Sequence, residues 1–184
     1  MHDLIGDDLA RAPRGVKGAM LSCILSDTLE FRSPTTTAHD RAVAEKLAAD
    51  LGVAIPDLAA AMFAAKSDVS AFSDAELLRM DSKEYNVAGK ELRVSVLETT
   101  APQVLLDRKA SLMDSMVTVA QEDGADQVLL FVIDILREEA TLLVPNDLVK
   151  ALAEASFGCK VEGDTVVLPG VMSRKKQIIP SLKF

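Results

Sequence analysis

The sequence predicts an α/β domain with a mixed sheet, preceded by an all-helical segment. Three observations carry this. Apolar residues recur at helical spacing through the first third of the chain. They switch to alternation around residues 85–96. From residue 73 onward the patterns run helix, strands, helix, strands, helix, strands. The 184 residues are 49% hydrophobic and 26% charged, with no Trp. That is the balance of a globular chain long enough to bury roughly 70% of its unfolded surface without disulfides. Disorder, collagen and coiled coil are excluded.

Within residues 17–31, Met20, Leu21, Ile24, Leu25 and Leu29 share helical spacing. Ser33-Pro34 is expected to end that helix, because the residue before a proline is pushed out of the α region. Thr37 and Asp40 form a capping box with the acidic partner one methylene short. The helix it opens covers Val43, Leu47 and Leu51 and stops at Gly52. A third helix starts at Pro56 and continues through Leu58, Met62 and Phe63. Residues 67–72 lack a sustained period and are the best linker candidate, which places the domain division at 1–66 and 73–184. Ser73 and Glu76 then make a fuller capping box for a short helix through Leu77 and Leu78.

Tyr85, Val87, Leu92, Val94 and Val96 alternate with polar residues around Ala88-Gly89-Lys90, a hairpin signature. Residues 103–123 carry the strongest amphipathic stripe, Leu105, Leu112, Met113, Met116, Val117 and Ala120, and Gly124 ends it. Residues 128–136 are branched and apolar except Asp134, which predicts a strand buried on both faces. Another strand follows over 141–144, and Asn146 caps a helix to Ser156 with Gly158 beyond its end. Val161 and Val166-Val167-Leu168 are expected to pair across a Gly163-Asp164 turn as a second hairpin.

Charge narrows the function. The net charge of −8 would repel nucleic acid and anionic membrane. One Tyr and six Phe, none interleaved with the basic residues, leave no base-stacking platform. The longest apolar run of consequence, residues 128–133, is far short of the ~20 residues that span a bilayer. Residues 1–8 show neither a basic region nor an apolar core, so no secretory signal is expected. Cys23 and Cys159 lie far apart outside any CxxC pattern. They read as reduced, buried thiols of a cytoplasmic protein. His2 and His39 are isolated, and a surface place suits His39 better than a ligand role. No P-loop, GxGxxG, HExxH or GxSxG pattern is present.

Two features could carry chemistry. Residues 165–184 hold Arg174, Lys175, Lys176 and Lys183 and no acidic residue. Apolar neighbours on both sides of the Arg174-Lys175-Lys176 run imply order, and an arginine can fork onto phosphate oxygens while lysines add point charges. A solvated basic tail is an equally common reading of such a run. Asp27 falls near Met20, Cys23 and Ile24 on a helical wheel, projecting toward the apolar side. An ionised carboxylate there needs a partner. The commoner explanation is a helix already ended at Ser26, with Asp27 capping the next turn. The functional alternative is a metal such as manganese or magnesium, both of which favour carboxylate oxygen.

Residues 22–37 (SCILSDTLEFRSPTTT) resemble the ILSDTLxFxSPT segment of the manganese-dependent (family II) inorganic pyrophosphatases, members of the DHH phosphoesterase superfamily. Residues 168–180 (LPGVMSRKKQIIP) resemble that family's terminal LxGVVSRKKQxxP motif. Residues 81–85 (DSKEY) are similar to its DxKxF segment and residues 132–136 (VIDIL) to its VTDIL strand. The resemblance implies a helical remnant of the DHH domain over 1–66, a hinge over 67–72, and a DHH-associated α/β domain over 73–184. It implies Asp27 as a manganese ligand and Lys83, Arg174 and Lys175 as the cations that grip pyrophosphate.

Manganese is the implied cofactor, with magnesium or cobalt as alternatives. Such metals would lower the pKa of an attacking water, while cations offset charge on the leaving phosphate. The sequence also departs from the family. There is no DHH triplet, the upstream His and Asp ligands have no counterpart, and Ala64 and Lys66 stand where the family carries Lys and Gly. The chain is therefore expected to be inactive alone. Its expected partners are pyrophosphate and either a DHH-bearing chain or a second copy, joined through the helical remnant. A non-catalytic pyrophosphate-binding or regulatory module is the alternative.

Overall fold

The computed structural model describes residue 9 and residues 11–183. The expectations for His2 and for a signal over residues 1–8 lie outside the described residues. The chain divides into two compact units between Ala65 and Lys66.

The first unit is helical: α1 (Arg14–Thr28), α2 (Ala38–Leu51) and α3 (Ile55–Lys66), whose last residue falls beyond the division. α1 packs on α2, burying Met20, Leu21 and Leu25 of α1 and Val43, Ala44, Leu47, Ala48 and Leu51 of α2. Arg14 Nη2 donates to the Leu51 carbonyl at 2.7 Å, satisfying an orphan acceptor at the α2 carboxyl end. The Thr37–Asp40 capping box and the left-handed Gly52 bound α2 as expected.

The end of α1 is a correction. Ser33-Pro34 does not terminate it; the helix stops at Thr28, and Leu29, Glu30 and Phe31 all adopt positive φ, at 49°, 53° and 69°. Left-handed backbone costs a non-glycine residue roughly 1–2 kcal/mol. Hydrogen bonds hold the run in place. Glu30 N–H donates to the Leu25 carbonyl (2.9 Å) and Ser33 N–H to the Thr28 carbonyl (2.9 Å). Thr28 Oγ1 donates to the Ile24 carbonyl (2.7 Å) and accepts from Phe31 N–H (3.2 Å). Leu29 is buried, and Arg41 stacks 4.4 Å over the Phe31 ring.

The second unit is built on a five-stranded mixed sheet in the order β1-β2-β3-β4-β5: β1 (Ser82–Val87), β2 (Lys90–Thr99), β3 (Gln127–Asp134), β4 (Glu139–Leu143) and β5 (Thr165–Pro169). Only β2 and β3 are parallel. The expected α/β class with a mixed sheet and flanking helices is what the chain forms. α4 (Asp74–Met80), opened by the Ser73 capping box, precedes the sheet. α5 (Pro102–Leu106) and α6 (Lys109–Asp123) make the β2-to-β3 crossover, and α7 (Asp147–Phe157) joins β4 to β5.

Every residue of β3 is buried. Val128, Leu130 and Val132 meet Leu112, Met116 and Val119 of α6 and Leu77 and Leu78 of α4 in one core. On the other face Phe131 meets Phe157 of α7 edge-on, with ring centroids 6.1 Å apart.

Three expectations in this unit and one shared with the first are corrected. The helix over 103–123 is two helices, because Arg108 leaves helical geometry (φ −96°, ψ 7°). Its guanidinium is anchored by the Phe72 carbonyl at 3.0 Å and the Asp74 carboxylate. Val117, assigned to the apolar stripe, is 53% exposed, and Val119 takes its place in the core. Val161 makes no hairpin with Val166: β5 pairs with β4, while Val161 N–H donates to Glu154 Oε1 at 3.0 Å. Neither cysteine is fully buried; Cys23 is exposed and Cys159 half-buried, and both are free.

Candidate functional site

In the second unit the basic run that follows β5 sends one of its cations to the start of β1. After β5 the chain passes Gly170, whose φ of 74° suits only glycine without strain, and enters a π-helical turn over Arg174–Ile178. Gln177 ties this segment together. Its Oε1 accepts from the N–H groups of Met172 and Ser173, both at 2.9 Å, and its Nε2 donates to the Gly170 carbonyl at 2.6 Å. Ser173 Oγ caps the turn by accepting from Lys176 N–H at 3.3 Å. Buried Met172 and Ile178 pin it to the core. The run is an ordered element, not a solvated tail.

Its first cation reaches far. Arg174 Nη1 donates to the Asp81 carbonyl (2.7 Å) and more weakly to the Val94 carbonyl (3.4 Å), and Nη2 donates to Asp81 Oδ1 (2.7 Å). Asp81 sits immediately before β1, and Val94 is the register partner of Lys83. Side chains alternate across a strand. Ser82 and Glu84 both meet Arg93, with Arg93 Nη1 donating to Ser82 Oγ at 2.7 Å, so the opposite side of β1 carries Lys83 together with Asp81 and its Arg174 contact. Thus Arg174 and Lys83, expected to act together, are brought to the same stretch of β1. Lys83 and Lys175 are exposed and make no ion pair among the described residues. A guanidinium docked beside an exposed lysine that carries no ion pair can bind an oxyanion.

Asp27 belongs to the first unit. It lies in the last turn of α1, so the cap reading that ends the helix at Ser26 does not hold. Nor does it project into the apolar face: it is exposed, because Met20, Leu21, Leu25 and Thr28 supply the buried side. With Cys23, Ile24, Thr28, Thr35 and Asp40 it lines an open pocket of about 450 Å³. Asp40 is committed to the capping box. The Thr37 hydroxyl and backbone N–H hold its carboxyl below the ordinary 3.8 against a smaller opposing effect of burial. Among the described residues no three His, Cys, Asp or Glu side chains are placed to hold a metal ion. Asp27 can supply one oxygen ligand, and these residues by themselves do not fit a manganese centre. His39 is exposed on α2.

Asp81 and Gln177 were missed as site residues. Both stand inside the motifs at 81–85 and 168–180, but their contacts span a fold and a loop that no spacing rule reports. A DHHA2 domain model matches residues 60–183, more than half of the chain. The chain belongs to the DHHA2 family.

As a DHHA2 protein it is similar to the C-terminal half of manganese-dependent inorganic pyrophosphatases. The relative of that name from Methanocaldococcus jannaschii is 34% identical over 98% of this chain and 59% of its own length. A probable manganese-dependent inorganic pyrophosphatase of Deinococcus radiodurans is 44% identical over 89% of this chain and 54% of its own. The crystal structure of a family II inorganic pyrophosphatase from Methanococcus jannaschii superposes with a TM-score of 0.81 at 33% identity. That match covers 92% of this chain and 55% of the other. The chain thus spans about half the length of the curated relatives it matches. Lys83, Arg174 and Lys175 fall inside the DHHA2 match, and Asp27 falls outside it. Among the described residues no single helix is long and apolar enough to cross a membrane; α2 and α3 together pass that test only across a 98° bend.

Proposed function

We propose that this chain is the pyrophosphate-gripping half of a manganese-dependent inorganic pyrophosphatase, which hydrolyses diphosphate to two phosphates. Lys83, Arg174 and Lys175 bind the substrate, and Asp27 contributes one carboxylate ligand to manganese. The observation that carries the reading is the docking of Arg174 at the start of β1, beside Lys83. Breaking a phosphoanhydride builds negative charge on the leaving phosphate. Arg174, Lys83 and Lys175 would offset that charge, with Arg174 holding two oxygens and the lysines adding point charges. The remaining metal ligands come from a DHH-bearing partner or segment, because Asp27 offers only one.

Mixing the chain with a DHH-bearing pyrophosphatase fragment and manganese is expected to release phosphate from pyrophosphate, while the chain alone releases none. No release at any ratio would overturn the catalytic reading. The exposed, single carboxylate of Asp27 favours one second reading, a pyrophosphate-binding module without chemistry. Calorimetry separates the two: in the catalytic reading manganese and the partner fragment strengthen pyrophosphate binding, and in the second they leave it unchanged.

A further inference from the structure

The contact between Asp81 and Arg174 has a geometry that a simple charge pair does not require. A guanidinium carries five N–H groups arranged as two forks. One fork is end-on, between Nη1 and Nη2; the other is side-on, between Nε and Nη2. Asp81 takes the end-on fork with two different atoms, its carbonyl oxygen on Nη1 and its carboxylate oxygen on Nη2, each at 2.7 Å. The Val94 carbonyl, 3.4 Å away, lies against Nη1 as well. Among the described residues nothing accepts from Nε or from the second Nη2 hydrogen. Arg174 Nε is not among the buried donors left without a partner, so the Nε side of that fork stays within reach of solvent.

We propose that Asp81 is a positioning residue: it grips the end of the Arg174 guanidinium so that the side-on fork is held ready, beside Lys83, for two oxygens of one phosphate group. The proposal rests on Arg174 being a phosphate ligand, as proposed above. A free arginine has many rotamers to lose on binding, and a pre-set fork loses fewer. Asp81 could instead compete with phosphate for the same donors. Two facts weigh against competition. Half of its grip is a backbone carbonyl, which an incoming anion cannot swing aside. Its side chain is 55% exposed, so solvent screens its repulsion of an anion, whereas the Arg174 side chain is only 14% exposed and well fixed.

The test titrates pyrophosphate without metal into the whole chain by calorimetry, for the parent, Arg174→Ala, Asp81→Ala and Asp81→Asn. A proton–nitrogen spectrum of the arginine Nε–H groups is recorded alongside. Arg174→Ala and Asp81→Ala are each expected to weaken binding roughly tenfold, the size of losing one charge-assisted contact. Asp81→Asn, which keeps an acceptor oxygen, is expected to stay within about threefold of the parent. The parent should show a sharp Arg174 Nε–H resonance that pyrophosphate shifts, broadened in Asp81→Ala while thermal unfolding remains cooperative. If Asp81→Ala does not fold, Asp81→Ser replaces it, its hydroxyl being too short to reach Nη2.

If Asp81→Ala binds as well as the parent or better while Arg174→Ala is impaired, Asp81 is a bystander or a competitor and the proposal falls with the proposed function intact. An asparagine variant as weak as the alanine variant also overturns it. If Arg174→Ala binds like the parent, or the parent binds no pyrophosphate, the phosphate-gripping reading itself fails and takes this one with it.

Discussion

At the scale of single residues, the molecule separates charges that hold the fold from charges left available. Asp123 is of the first kind. Arg79 meets both of its carboxylate oxygens, Nε to Oδ2 at 3.1 Å and Nη2 to Oδ1 at 2.9 Å, and Arg93 Nε lies 2.8 Å from Oδ2. The hydrogen bonds from Arg79 come first in holding its carboxyl below the ordinary 3.8, with the Arg93 charge assisting and burial opposing. A carboxylate whose folded-state pKa is lowered stabilises the fold above its unfolded value, and that contribution disappears as pH falls through the lowered value. Asp123→Asn is therefore expected to melt below the parent at pH 7, the gap narrowing once the pH drops under 3.8. Thermal melts across that range check it; a gap that widens in acid would contradict it. Lys83 and Lys175, with no such partners among the described residues, are of the second kind.

At the scale of elements, local chemistry decided most boundaries. Thr37, Ser73 and Asn146 each cap the helix that their sequence context predicts, because the bond from a cap oxygen to an N–H three residues on needs nothing beyond the segment itself. The β1–β2 connection is a two-residue turn in which Ala88 and Gly89 have φ of 51° and 80°. Both central residues of such a turn are left-handed, and asparagine tolerates that conformation better than alanine. Ala88→Asn is expected to stabilise the protein by about 1 kcal/mol, raising its melting temperature by about 2–4 °C. The two misjudged helix limits have different causes. Arg108 breaks the helix over 103–123 because its guanidinium is held at Phe72, 36 positions away along the chain. The α1 end is set by Thr28 and by a left-handed run that contains no glycine to announce it.

At the scale of the whole molecule, the second unit is organised around β3, whose two faces are both buried against other elements. Phe131, fully buried against Phe157, is the largest side chain at its centre. Phe131→Ala should cost about 4 kcal/mol, measured by denaturant unfolding, since it removes buried area and leaves a cavity that a sheet packed on both faces cannot close. A loss under 1 kcal/mol would mean that the core repacks. The strand ends also show where the basic run begins. Thr99 and Asp134 end β2 and β3 side by side, and Pro169 of β5 reaches the same end through its pairing with Glu139. The segment that follows β5 therefore begins where Arg174 must start to reach Asp81.

The sequence by itself determined the α/β class, the capped helices, the β1–β2 hairpin, the doubly buried β3 and the basic motif, because each is written in residues within a few positions of one another. Which face of α1 is buried, and hence the exposure of Asp27 and Cys23, was decided only by what packs against that helix. The partners of Arg174 were likewise settled only in three dimensions. Its bond to Asp81 joins residues 93 positions apart, and no local pattern of charge can specify a contact that exists only once a sheet has set its strands in order.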